Sequence, residues 1–314
     1  MPSVLATALA PQIDPLYDAR WDSPTLSENA TIPPVILHEN LDGDIVITLD
    51  AENRLIALAL IDGDTMWDVE LLAPIDPRCE TCIQVAGDTV IALTSDAVLH
   101  AYDVLTGDLV WERVLTTPAD RLLILAGNPT VVSESADFAG LALRSYDAST
   151  GVSRPSIVPT CQSGGIRHTL TATSPVIVAP DGQSVITLLG AGSGCAQRWN
   201  AAGELVWETT ATTADHWPGS WLDNTPLITS DALIFTGSTP ERLLTLDRAT
   251  GDLREIADFA GASLHPWSTV GDTVIVYVES SAESTTPQLW GINPHSGAHA
   301  WTFDFHIANE SWTA

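Results

Sequence analysis

Hydrophobic residues fall in short runs along the chain, rich in Val, Ile, Leu and Thr, and the runs are separated by Gly, Asp, Ser and Thr. The clearest stretch holds four of them in succession: Cys82-Ile83-Gln84-Val85, Thr89-Val90-Ile91-Ala92-Leu93-Thr94, Val98-Leu99-His100-Ala101-Tyr102-Asp103 and Leu109-Val110-Trp111-Glu112-Arg113-Val114. Only Gly-Asp, Ser-Asp and Thr-Gly signals part them. β-Branched runs of this length between turn residues predict antiparallel strands joined by tight hairpins. Near the end of the chain the pattern returns as Thr273-Val274-Ile275-Val276-Tyr277-Val278, Gln288-Leu289-Trp290-Gly291-Ile292 and Ala300-Trp301-Thr302-Phe303.

The pattern is periodic. An Asp/Asn-x-x-[Ser/Thr]-Gly element, in full or in part, marks Gly63, Gly107, Gly151, Gly203, Gly251 and Gly297, at separations of 44, 44, 52, 48 and 46 residues. Where the Asp or Asn is present its side chain can bond the backbone ahead of it, and in each the glycine can take positive φ, so the element is a turn between a third and a fourth strand. A four-stranded unit repeating every mid-forties residues predicts an all-β fold, a β-propeller of four-stranded blades. Six complete repeats span residues 32–305. Residues 1–31 form an N-terminal segment that could supply a closing strand, and 306–314 form a tail; a seventh blade built from the termini is the alternative.

Ala101, Asp103, Gly107 and Trp111 together fit A-x-D-x-x-x-G-x-x-x-W, and on these residues the chain resembles the PQQ-binding-like β-propeller repeat family. Trp67, Trp207 and Trp301 stand at the tryptophan position of other repeats, where the ring can cover the seam between blades. Pro155 and Glu255 replace it in two repeats, and the turn before Gly203 is one residue short. The family includes quinoprotein dehydrogenases and outer-membrane assembly lipoproteins, so the resemblance implies the fold and leaves the activity open. An enzyme of this kind would need Ca²⁺ held by oxygen ligands, an aspartate base and PQQ in the central channel. No Glu/Asn/Asp calcium set stands out, and no two cysteines are adjacent as they commonly are beside the quinone. The reading therefore carries no catalytic residue, cofactor or metal, with a PQQ- or Ca-dependent enzyme as its alternative.

Composition narrows the partners. The 314 residues are 45% hydrophobic, enough for a substantial core, and 40 acidic residues against 12 basic ones give a formal charge of -28. Such a surface repels nucleic acid and anionic lipid, and no apolar run approaches the roughly 20 residues of a membrane-spanning helix. All 12 basic residues are arginine. Schiff-base, P-loop and Ser-Lys chemistries, which need a lysine amine, are excluded. The first residues lack the positive region of a signal peptide, so export would depend on a segment outside this sequence.

Strand direction alternates within a blade. The loop leading into the first strand and the hairpin joining strands two and three therefore share one face, here called the lead-in face. Cys161 and Cys195 fall on that face and can meet, which predicts a disulfide and an oxidising compartment. Cys79 and Cys82 are read as a second, local bridge, with reduced thiols and a redox or metal site as alternatives. His216, Trp217 and Trp221, together with His265 and Trp267, lie in predicted lead-in loops and, with Arg167, are candidate contacts for a partner; plugging of blade seams is the other use for those rings. Gly192-Ser193-Gly194 sits in a hairpin and not at a strand-to-helix elbow, so a hydrolase is not indicated. The function expected is a monomeric, non-catalytic, extracytoplasmic propeller that binds protein or peptide, secreted or held by an anchor.

Overall fold

The computed structural model describes residues 35–37, 45–50, 52–75, 81–135, 139–191, 193–211, 217–218, 226–237, 242–258, 263–271, 273–279 and 287–304. Both terminal segments, 1–31 and 306–314, lie outside them. The described residues contain only strands, turns and loops, with no helix long and apolar enough to cross a membrane. Two compact units result, Met1–Val114 and Leu115–Ala314.

In the first unit, β1 (Val35–Leu37), β2 (Ile45–Leu49), β3 (Arg54–Ala59) and β4 (Thr65–Glu70) form one antiparallel sheet in chain order. A second sheet has the same order: β5 (Ile83–Ala86), β6 (Thr89–Leu93), β7 (Val98–Asp103) and β8 (Leu109–Val114). The middle strands are buried on both faces, with Ile47, Leu55, Ile91 and Leu99 in the core. That is why their sequences run apolar without alternation. On the outer strands β4 and β8, by contrast, Trp67 and Trp111 are the buried positions.

The turn that joins β7 to β8 shows how the repeat is made. Gly107 N–H donates to the Asp103 carbonyl at 2.9 Å, and the Asp103 carboxylate accepts from the N–H groups of Leu105 and Thr106, both at 2.9 Å. Glycine is needed twice over, for its φ of 73° and because a Cβ there would lie 2.8 Å from the Trp67 ring. Trp67 of the preceding sheet lies on this turn, 7% exposed, and its Nε1–H donates to the Val104 carbonyl at 2.9 Å. The backbone bond of the turn recurs at Ala59, Asp147, Asn200, Asp247 and Asn293. Hydrogen bonds from backbone and side chains favour the charged form of Asp147 and Asp247. The pKa of Asp147 is lowered mainly by Ser149 and Arg154, and that of Asp247 mainly by the Thr250 N–H.

The second unit begins with an irregular sheet. β9 (Ala119–Leu125), β10 (Asn128–Glu134) and β11 (Leu141–Ser145) pair in order, but only isolated bridges, Leu143 with Ile157 and Tyr146 with Ser153, occupy the fourth position. Pro155 falls between those bridges, where its missing N–H and fixed φ interrupt a continuous strand. Next comes an element that the repeat pattern does not contain, a two-stranded hairpin of β12 (Thr160–Ser163) and β13 (Ile166–Thr169). Gly164 and Gly165 form its two-residue loop with φ of 58° and 80°, as a type I′ turn requires. This insertion accounts for the longest turn-to-turn spacing, 52 residues.

Three full sheets follow. They are β14 (Val176–Val178), β15 (Ser184–Leu189), β16 (Cys195–Asn200) and β17 (Leu205–Thr210); β18 (Leu227–Ile228), β19 (Ala232–Thr236), β20 (Arg242–Asp247) and β21 (Leu253–Asp258); and β22 (Leu264–Val270), β23 (Thr273–Val278), β24 (Gln288–Ile292) and β25 (His299–Asp304). Apolar clusters join successive sheets. One gathers Leu143, Leu170, Leu189 and Cys195, the next Ile186, Phe235 and Leu244, and the last Ile234, Leu264, Val276 and Ile292. Trp207 repeats the docking of Trp67: a Cβ on Gly251 would meet its ring at 2.7 Å. Ile157 takes the same place against Gly203, more loosely, at 3.7 Å.

Two stability outcomes follow from these contacts. Gly87 also has positive φ but has nothing within 4 Å of a new Cβ, so Gly87→Ala should cost only the backbone strain, about 1 kcal/mol. Gly107→Ala and Gly251→Ala add a clash with an indole and should each cost about 2–4 kcal/mol in guanidinium denaturation; equal costs at all three sites would show that docking contributes little. For the 34-residue separation of the Cys161–Cys195 bridge, replacing both cysteines by alanine should cost about 3–4 kcal/mol by the same measurement. An unchanged midpoint would count against that role.

Candidate functional site: the disulfide-tethered hairpin and its face

Cys161 and Cys195 form the expected disulfide, with Cα atoms 6.6 Å apart. Its setting differs from the expectation in one respect. Cys161 does not sit in a loop; it is in β12, opposite His168 in the hairpin register, while Cys195 opens β16. The bridge therefore ties the inserted hairpin to the third strand of the next sheet. Gln197 Nε2 adds a bond to the Thr160 carbonyl at 2.9 Å. The described residues include no free cysteine; Cys82 is also disulfide-bonded, and Cys79 lies outside the described residues.

The hairpin's far end faces solvent. Ile166 is 58% exposed, and Arg167 beside it is exposed as well. At the hairpin's base, Thr169 packs against Gly140, and Leu170 accepts from the Leu141 N–H at 2.9 Å. A cleft of about 620 Å³ opens there, between the β10–β11 hairpin and the segment after β13. Its walls include Pro118, Glu134, Leu141, Leu170, Thr171 and Ala172. Two guanidinium groups brace the walls. Arg144 donates to Thr116 Oγ1 at 2.7 Å and to the Glu134 carbonyl at 3.1 Å, and Arg121 donates to the carbonyls of Ala172 and Ser174 at 3.3 and 3.0 Å.

The other candidate residues are distributed differently from the sequence expectation. Trp217 is 0% exposed: its Nε1–H donates to the Gly190 carbonyl at 3.0 Å and its ring meets Phe235 edge-on. It is core between the fourth and fifth repeats and is not available to a partner. His216 and Trp221 lie outside the described residues. His265 and Trp267 are not in a loop; they lie in β22, the edge strand of its sheet, where a register shift leaves Trp267 unpaired and 63% exposed. Trp111 is buried like Trp67, whereas Trp301 is 41% exposed and lies across its own cross-strand neighbour Gly291. His100 is buried against Tyr102, with Glu112 3.6 Å away; burial lowers its pKa, opposed by that carboxylate.

A polar seam on the opposite face has no single sequence signature. Arg198 binds the Asp181 carboxylate at 2.7 Å, Ser184 Oγ at 2.8 Å and the Arg248 carbonyl at 3.1 Å. Arg248, 5% exposed, donates to the carbonyls of Val178 and Thr229. Burial, and then the neighbouring Arg198 cation, lower its pKa. The carbonyl that Arg198 occupies corresponds to that of Val104, which accepts the Trp67 indole. With it taken, the Trp207 N–H is buried without a partner.

For a quinone-bound Ca²⁺, oxygen ligands from several strands would have to converge. Among the described residues no three of His, Cys, Asp and Glu come together to hold a metal.

Comparison with known proteins agrees with the fold. A solved structure of BamB from Moraxella catarrhalis is 18% identical, with 87% of this chain and 76% of that one aligned and a TM-score of 0.51. A europium-containing methanol dehydrogenase is 12% identical over 87% of this chain and 70% of its own, with a TM-score of 0.50. The quinohemoprotein alcohol dehydrogenase from Comamonas testosteroni has the same identity and TM-score over 87% and 60%. At these identities the likeness is one of fold. No curated protein sequence matches. The sequence profile described as outer membrane protein assembly factor BamB matches residues 20–252 and 162–303, and with the repeat geometry above it shows that this chain belongs to that PQQ-like β-propeller family.

Proposed function

We propose that the chain is a non-catalytic propeller that works outside the cytoplasm and binds a protein or peptide through its lead-in face. The observation that supports this most is the inserted hairpin. It interrupts the repeat, is fixed to the next sheet by a disulfide, and presents Ile166 and Arg167 to solvent beside a large cleft. A tethered hairpin has already lost the conformational freedom that a mobile loop would lose on binding, so its contacts convert more fully into affinity. Arginine is among the residues that most often dominate interfaces, and an exposed aliphatic side chain next to it supplies apolar area. A disulfide of this kind belongs to an oxidising compartment. The family's assembly factor and dehydrogenases are compatible with binding or catalysis, so the hairpin is what favours binding.

A photo-crosslinking residue placed at position 166 should yield a discrete adduct in cell-envelope extract. The adduct should disappear when Arg167→Glu is added and weaken when both Cys161 and Cys195 are replaced by alanine. Equal labelling by all three proteins would overturn the assignment of the hairpin. The enzyme reading is tested separately: PQQ with Ca²⁺ should leave the melting temperature unchanged, and a rise together with dye-linked alcohol oxidation would overturn the non-catalytic reading.

A further inference from the structure

On the face opposite the hairpin, the seam between the fifth and sixth repeats carries a second cleft, of about 280 Å³. That is near the lower end of the roughly 300–1,000 Å³ typical of small-molecule sites, which suits a single small ring. Four hydroxyl residues line it, Thr229, Ser230, Thr269 and Thr273, together with Asp231 from the β18–β19 turn and His295 from the β24–β25 turn. His295 Nε2 is 3.0 Å from one Asp231 carboxylate oxygen, and Thr229 Oγ1 donates to the other at 3.0 Å. The carboxylate is thus held in place with part of its acceptor capacity still unused. Ser230, Thr269 and Thr273 make no side-chain hydrogen bond to a described residue. The exposed apolar ground of the lining is Ile228; Val274 and Pro294 are buried.

The cleft is built on a stiff base. Arg248, buried behind it, donates from its guanidinium to the Thr229 carbonyl and from its backbone N–H to the Asp231 carbonyl at 2.7 Å. That fixes the turn carrying Asp231 to the fifth sheet, the kind of support that keeps a recognition group in one geometry. Trp267, two residues before Thr269 on β22, is bulged out of the ladder and largely exposed.

We propose that this cleft is a saccharide-binding site, taking one pyranose ring against Asp231, His295 and the free hydroxyls, with Trp267 stacking on a neighbouring ring. Both Asp231 oxygens already have a neighbour at 3.0 Å, His295 on one and Thr229 on the other, so a cation would meet no bare carboxylate, and the chain's charge of -28 disfavours an anionic ligand. What remains is a neutral ligand with many hydroxyls and an apolar C–H face. A pyranose has both: its hydroxyls pair with a carboxylate, an imidazole and alcohols, and its C–H face packs on the exposed Ile228.

The test is titration calorimetry of the full chain with glucose, maltotriose, cellotriose and chitotriose, alongside a glycan array. A trisaccharide should bind more tightly than the monosaccharide. Asp231→Asn should weaken both by about tenfold through loss of a charge-assisted bond. Trp267→Ala should weaken the trisaccharide alone by a similar factor, about tenfold, through loss of stacking. Arg167→Glu, on the opposite face, should change neither, which separates this site from the protein-binding hairpin. If Asp231→Asn fails to fold by circular dichroism, Thr269→Val replaces it as the cleft variant. Silence across the array and in titrations up to about 10 mM ligand, or affinities within about twofold in both the cleft variant and Trp267→Ala, would overturn the proposal.

Discussion

The structure depends on one recurring contact, a bulky outer-strand side chain pressed onto a turn glycine of the next sheet. An indole offers roughly 150–250 Å² of surface, so at about 25 cal/mol per Å² each docked ring contributes on the order of 4–6 kcal/mol of gross burial. The contact is possible only where the turn presents bare backbone. Trp67 on Gly107 and Trp207 on Gly251 share that geometry in separate units of the chain. Their second interaction differs: Trp67 finds an acceptor in Val104, whereas Arg198 has taken the equivalent carbonyl beside Trp207. The fourth and fifth repeats have exchanged an indole hydrogen bond for a guanidinium latch, so one buried N–H is left unsatisfied while Arg198 and Arg248 bind several backbone carbonyls across the same seam. Buried unsatisfied donors are costly, and the latch is what offsets this one.

Where the docking contact is weakest, the chain has added something else. Ile157 replaces tryptophan against Gly203 and Pro155 interrupts the strand that would carry the ring, so the third sheet ends in two isolated bridges. At this junction the disulfide, the inserted hairpin and Leu170 join the apolar cluster that connects the third and fourth sheets. The covalent tie strengthens the seam by restricting the unfolded chain. It also leaves the hairpin's outer end, with Ile166 and Arg167, exposed to solvent. Stability and exposure are thus divided between the two ends of one short element.

How much of this was legible in the sequence depended on whether a feature repeats. β6, β7 and β8 end within a residue of the runs that announced them, because apolar runs and turn glycines are local signals read again in each period. The hairpin was present in the sequence as Ser163-Gly164-Gly165-Ile166 and as the longest spacing, but an insertion has no second copy to compare with, and its residues looked like an extended lead-in loop. For the same reason Trp217 could be read as a surface anchor or, more readily, as a plug; the Gly190 carbonyl and Phe235, brought near by tertiary packing, decide for the plug. His265 and Trp267, expected in a lead-in loop, lie instead on either side of Pro266 in a strand. In the fold the proline is accommodated by the bulge of an edge strand, one of the few places in a sheet where proline is tolerated.

The face opposite the hairpin shows how a repeat acquires a local specialisation without changing its backbone. In three repeats the residue after the turn Asp or Asn donates its N–H to the carbonyl of the residue that precedes the second strand: Val104 to Asp88, Ala201 to Gln183 and Arg248 to Asp231. That bond ties the two turns of a sheet into one platform whatever side chains they carry. The position two residues after the Asp or Asn is Leu105, Ser149, Ala202 and Ala249 in four repeats, and His295 in the sixth. A histidine there meets Asp231 of the neighbouring sheet, so the polar cleft exists at this seam because the sixth repeat, whose Pro294 has no N–H for the platform bond, brings His295 against the platform of the fifth. A frame held by backbone bonds and a buried arginine tolerates such exchanges at little cost to folding, because the altered groups lie at its solvent edge and take no part in the docking that holds the sheets together.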